Sequence, residues 1–83
     1  MLAMNLKPPF DRITLEPGKM GGQPCIRGMR ITVRRVLELL ATYQDRKELL
    51  SEFPDLEQED LQQALAFAAA TVSGAAETYI DAA

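Results

Sequence analysis

Four arginines within nine residues, Arg27, Arg30, Arg34 and Arg35, are the side chains whose type and spacing could do chemistry. A guanidinium is permanently charged, and its planar fork matches the oxygens of phosphates and carboxylates and the edge of guanine. The cluster spans a turn and the expected start of a helix. It therefore fits a nucleic-acid backbone, an acidic protein partner or, more plainly, a solvated and ion-paired surface.

Other chemistries lack their parts. The chain has no histidine, which removes the usual general base, the commonest metal ligand and every Ser-His or Cys-His nucleophile pair. One cysteine cannot build a structural zinc site or an internal disulfide, and it fits a reducing cytoplasm. Cys25 stands between Pro24 and Ile26 and reads as a small core residue rather than a reactive thiol. Gly18, Gly21, Gly22 and Gly28 fall in residues 18–32. Neither Gly-Lys-Ser/Thr nor Gly-x-Gly-x-x-Gly after a strand occurs there, so Gly21, Gly22 and Gly28 read as tight-turn residues with positive φ. Asp45, Glu48 and Glu52, and then Glu57, Glu59 and Asp60, are read as helix caps and solvated faces rather than a Mg²⁺ site. No catalytic set, metal or cofactor is expected. With no tryptophan and only Phe10, Tyr43, Phe53, Phe67 and Tyr79 as aromatics, a stacking platform for single strands is not expected either.

Charge is segregated. Residues 1–47 hold all nine basic residues against four acidic ones, a balance of +5, while residues 48–83 hold eight acids and no base, giving −3 for the chain. Such asymmetry points to a polyanionic partner for the first half.

The elements that must carry these residues follow from periodicity. Eighty-three residues, 47% hydrophobic and 25% charged, make one small domain. No apolar run reaches the roughly 18 residues of a membrane span, and the first residues do not form a secretory signal. Residues 1–11, with Lys7-Pro8-Pro9, read as an extended, unpaired leader. Residues 12–32 read as short strands, at 12–16, Cys25-Ile26 and Arg30-Ile31, joined by glycine-rich turns. Residues 33–74 read as three helices. Val33, Val36, Leu37 and Leu40 share the inner face of the first. Asp45 caps the second, which presents Leu49, Leu50 and Phe53 and stops at Pro54. The third starts with Asp55 or Glu57 as cap. Leu61, Ala64, Leu65, Ala68 and Val72 are its expected inner face, with Phe67 and Ala70 off it, and Gly74 is its expected stop. Residues 75–83 read as a fraying tail. The expected fold class is mainly α with a short N-terminal β element.

The segment Gly21-Gly22-Gln23-Pro24-Cys25-Ile26-Arg27-Gly28-Met29-Arg30-Ile31-Thr32-Val33 resembles the signature of a small prokaryotic family, domain of unknown function four-three-three. That signature reads Gly-Gly-Lys-Pro-x-Ile-x-Gly-Thr-Arg-Ile-Pro-Val. Leu37-Glu38-Leu39-Leu40 matches its first helix and Phe53-Pro54-Asp55-Leu56 its Tyr-Pro-x-Leu motif. The resemblance runs over about residues 12–70. Gln23, Met29, Thr32 and Glu57 depart from the pattern. The resemblance implies a three-helix, winged-helix or helix-turn-helix-like domain similar to VapB-type antitoxins. It implies a cytoplasmic, non-enzymatic antitoxin of a type II toxin–antitoxin pair that binds and neutralises a PIN-like ribonuclease toxin and represses the shared operon by DNA binding. A stand-alone helix-turn-helix transcriptional regulator is the alternative. A homodimer is expected, with Phe67, Ala70 and the alanine-rich helix as a second apolar face. The expected nucleic-acid contacts are Arg27, Arg30, Arg34 and Arg35. The acidic half, with Glu57, Glu59, Asp60, Phe67 and Ala70, is the expected docking surface for the toxin, and arginine insertion from Arg27, Arg30 or Arg34 is the other route.

Overall fold

Backbone pairing begins well before residue 12. In the structure, a computed structural model that describes residues 4–75, Met4–Asn5 (β1) runs antiparallel to Ile13–Leu15 (β2), with Met4 opposite Leu15 and Asn5 opposite Thr14. Cys25–Ile26 (β3) pairs with the other edge of β2, placing Ile13 opposite Ile26 and Thr14 opposite Cys25. The sheet order is β1-β2-β3. The unpaired leader expected over residues 1–11 is thus corrected. Leu6 and Phe10 belong to the core, and the Leu6 N–H donates to the Ile13 carbonyl at 3.1 Å. Pro8 and Pro9 occupy the exposed tip of this hairpin, where a missing donor costs nothing.

The glycine-rich stretch is a set of turns, as expected. Met20, Gly21 and Gly22 are three consecutive left-handed residues, with φ of 53°, 69° and 81°. Two glycines in that run hold the steric cost to one side chain. No strand forms at Arg30-Ile31. The Ile26 N–H donates to the Ile31 carbonyl at 2.9 Å and Thr32 makes a single bridge to Cys25. Thr32 has a second duty, because its Oγ1 accepts from the Arg35 N–H at 3.0 Å and opens the helix Val33–Thr42 (α1).

Val33, Val36 and Leu39 of α1 are buried, with Leu37 and Leu40 packed at the edge. Arg46–Glu52 (α2) is capped by Asp45, whose Oδ1 accepts from the Lys47 N–H at 2.9 Å. Leu49 is its buried anchor, and Tyr43 meets Phe53 edge-on at 6.1 Å. Gln58–Ser73 (α3) has Glu57 as its N-cap and Gly74, in the left-handed region at φ 81°, as its stop. α1 packs on both α2 and α3. Three helices stand on a three-stranded N-terminal sheet, and α2, five connecting residues and α3 follow in helix-turn-helix order.

α3 is rotated from its expected orientation. Its buried residues are Asp60, Leu61, Gln63, Ala64 and Phe67. Phe67 points inward, against Phe10 at 5.5 Å and 87°, while Leu65 is exposed and Val72 is 88% exposed. The cause is polar: Asp60 and Gln63 are themselves buried and bond to Asp11, Arg12 and Arg27, and those bonds choose the face. Ala75 is the last described residue of the expected tail, and the remainder lies outside the described residues. Among the described residues, no helix is long and apolar enough to cross a membrane.

Candidate functional site

The four arginines do not form one site. Arg27 parts from the other three at the turn Ile26-Arg27-Gly28-Met29, closed by the Met29 N–H on the Ile26 carbonyl at 2.8 Å. Both central residues are left-handed, Arg27 at φ 48° and Gly28 at φ 72°. Such a conformation costs a residue with a Cβ roughly 1–2 kcal/mol, and at Arg27 a strong set of bonds offsets it. The guanidinium Nη2 donates to Asp60 Oδ2 at 2.9 Å and Nε to Oδ1 at 3.1 Å, while Nη2 also donates to the Asp55 carbonyl at 2.7 Å.

Asp60 is the hub of this cluster. It sits at the start of α3, is 0% exposed, and accepts from three directions. Besides Arg27, Arg12 Nη1 donates to Oδ1 at 3.1 Å and the Glu57 backbone N–H donates to Oδ2 at 2.8 Å. Arg12 Nη1 also donates to Glu57 Oε1 at 2.6 Å. Gln63, one turn on, accepts from the Arg12 N–H and donates to Asp11 Oδ1, both at 3.0 Å. The set ties the start of β2, the β3 turn and α3 together with two positive charges, Arg12 and Arg27, and three negative ones, Asp11, Glu57 and Asp60. Among the described residues, no buried side-chain polar atom lacks a partner. Asp60, 0% exposed, presents no docking surface, which corrects that expectation, while Arg27, 34% exposed, is committed to Asp60 and the Asp55 carbonyl. Arg12, Asp11 and Gln63 escaped the sequence reading because their partners lie about fifty residues away along the chain.

Burial alone pushes the Asp60 carboxyl up, but the bonds from Arg27, the Glu57 backbone and Arg12 together hold it below its ordinary value. The Arg12 and Arg27 guanidinium groups are held above theirs, chiefly by hydrogen bonds to Glu57 and Asp60 respectively. A carboxyl whose folded pKa lies below its unfolded value, about 3.9, binds fewer protons folded than unfolded. Its stabilisation is fully present above the unfolded pKa and is lost as pH falls through the folded one. The urea midpoint is therefore expected to hold from neutrality to about pH 5 and to drop below about pH 4. A midpoint unchanged down to about pH 2.5 would contradict this.

Arg30, Arg34 and Arg35 are exposed around the start of α1. Glu38 faces two of them, at 3.4 Å from Arg34 Nε and 3.6 Å from Arg35 Nη1. One carboxylate shared by two solvated guanidinium groups holds neither firmly. Arg30 has no ion pair among the described residues. These three side chains line a shallow hollow with Met20, Gln23 and Thr32. Of the expected docking residues, Glu57 and Glu59 are exposed, although Glu57 is paired with Arg12, Phe67 is a core residue and Ala70 is half-buried. A second groove of about 290 Å³ lies between α1 and α3 and is almost wholly apolar, floored by Pro24, Leu37, Ala68 and Val72. Among the described residues, no group of three or more His, Cys, Asp or Glu is placed to hold a metal ion. Cys25 is buried, and desolvation pushes its thiol up.

No curated protein and no solved structure matches the chain. A family match does exist, and it covers residues 13–68, from the first residue of β2 to Ala68 in α3, including the whole glycine-rich segment and the Arg27–Asp60 cluster. The chain belongs to the family described as Protein of unknown function (DUF433).

Proposed function

We propose that this domain is a cytoplasmic antitoxin that binds and silences a PIN-like ribonuclease, with operator DNA as a second partner. The observation that supports the reading is the trio Arg30, Arg34 and Arg35, exposed on one face and opposed by Glu38 alone. The fold consumes Arg12 and Arg27 internally and leaves these three outside. A PIN-type active site is a cluster of carboxylates that holds Mg²⁺. A guanidinium fork pairs bidentately with such oxygens and competes with the metal for them.

A stand-alone regulator is the second reading, favoured by the helix-turn-helix order of α2 and α3. The exposed start of α3, however, carries Glu57 and Glu59. Phosphates repel those carboxylates, so DNA contact falls to the arginine trio. A homodimer anchored on Phe67 and Ala70 loses support, since Phe67 is in the core.

Co-expression with the product of the adjacent gene and with a PIN-like nuclease tests the proposal. Wild-type chain is expected to co-purify with the nuclease and restore growth, and the triple change of Arg30, Arg34 and Arg35 to Ala to abolish both while the free domain stays folded. Full rescue by the triple variant would sink the reading. Operator binding by the free domain, with a salt slope that falls by about one per arginine removed and no nuclease bound, would favour the regulator.

A further inference from the structure

The apolar groove and the arginine hollow are neighbours. Gln23 and Arg34 line both, and Arg30 continues the hollow toward Lys19. A path across this face therefore runs from cations at the start of α1 directly onto the greasy cleft between α1 and α3. Val72 stands at its far wall, 88% exposed, and the Arg34 side chain on its near wall is 75% exposed.

We infer that this composite surface is the docking site for a protein segment that places carboxylates beside an apolar ridge, with the ridge seated in the α1–α3 groove and the carboxylates on Arg30, Arg34 and Arg35. The inference rests on the antitoxin reading and names the surface that reading needs. Two observations choose this occupant. Charge complementarity requires an anionic group next to Arg34, because Glu38 leaves most of the trio's charge unopposed. The groove requires an apolar group within a side chain's length of that anion, since its floor offers carbon almost everywhere. A phosphodiester backbone satisfies only the first requirement. A protein surface of acidic and aliphatic residues satisfies both. Anchoring in a desolvated groove with a charged rim is the arrangement from which interfaces draw most of their affinity. The site also differs from the docking surface expected at the acidic start of α3, whose central carboxylate, Asp60, is inside the fold.

The test uses the full chain co-expressed with the PIN-like nuclease that the antitoxin reading assigns to it. Val72→Glu places a charge in the groove and Arg34→Glu reverses the rim. Both side chains are exposed, so thermal melts of the free variants should match the wild type. Each change is expected to weaken the complex by about tenfold or more, and the two together further. The conservative Val72→Leu should retain binding, which a merely structural role for Val72 would not require. If wild type binds the nuclease and Val72→Glu and Arg34→Glu bind equally well, the inference falls while the antitoxin reading stands. Loss of binding on Glu59→Lys with both groove variants intact overturns it in favour of the α3 start. If wild type does not bind the nuclease at all, both fall together. Two rival occupants have their own signatures, and either overturns the assignment. Light scattering of the free chain would show a dimer that Val72→Glu converts to monomer if a second copy fills the groove. Duplex DNA binding that depends on Val72 would place nucleic acid there.

Discussion

Asp60→Asn is expected to remove about 1–3 kcal/mol of stability, a large share of what a domain of this size possesses. The figure stays moderate because Arg12 and Arg27 are 29% and 34% exposed and water screens the charges left behind. The loss comes from what stays behind. Arg12 and Arg27 keep their charges, and their common carboxylate, 0% exposed, is gone. An amide oxygen can accept one of their bonds but cannot neutralise either cation. The Asn side chain also presents a donor to the Glu57 N–H, which needs an acceptor. Urea unfolding followed by circular dichroism measures the effect. A second variant separates charge from shape: adding Arg27→Gln to Asp60→Asn removes one stranded cation and is expected to recover part of the loss. A single variant whose midpoint sits within experimental error of wild type would show that the cluster is ornamental to folding. A double variant at the simple sum of its parts would show that Arg27 and Asp60 are not coupled.

Phe10→Ala is expected to cost about 3–5 kcal/mol, a core-sized penalty for a residue ten positions from the start. Phe10 is 3% exposed and meets the Phe67 ring edge-on at 5.5 Å. The pair joins the first hairpin to the last helix. Truncation to alanine opens a cavity beneath α3 that neither Leu6 nor Leu61 can fill, because both are themselves fully packed. A double-mutant cycle with Phe67→Ala should return a coupling of about 0.5–1.5 kcal/mol beyond area burial. Thermal melts of the four proteins supply it. A Phe10→Ala melt close to wild type would mean that the N-terminal hairpin is dispensable.

These two sites also mark the limits of what the sequence discloses. α1, α2 and the stop at Gly74 were legible because aliphatic spacing, Asp45, Pro54 and the glycine itself are local signals. The inner face of α3 was legible only at Leu61 and Ala64. Beside Leu61, the residues Asp60, Gln63, Ala64 and Phe67 have the i, i+3, i+4, i+7 spacing of a buried stripe. Two of those four are polar, and hydropathy alone assigns them to solvent. Leu65 and Val72 then took the inner places by default. The partners that justify burying Asp60 and Gln63 lie at Arg12, Arg27 and Asp11, and no spacing rule connects them. The arginine site failed by one residue for a related reason. Arg27 stands three residues before Arg30, and the left-handed pair Arg27-Gly28 turns it toward Asp60 instead. The remaining trio, at the start of a helix whose cap, Thr32, the sequence reading did not assign, did fall on one exposed face. The leader was misassigned because Pro8 and Pro9 announce an unpaired tip, and the pairing on either side of that tip depends on Ile13 and Leu15.

The single thiol gives the domain a clock. Cys25 lies in β3 with 2% of its surface exposed, behind the sheet and the Thr32 bridge. An alkylating reagent meets it only when β3 leaves β2 or the whole chain opens, so the labelling rate is the rate for a free thiol scaled by the open fraction. No other cysteine competes for the reagent. Mass spectrometry of the intact chain after timed labelling therefore reads the opening equilibrium inside living cells, where denaturants cannot be used. A bound partner that slows labelling does so by mass action on that equilibrium, in proportion to its free concentration over its dissociation constant.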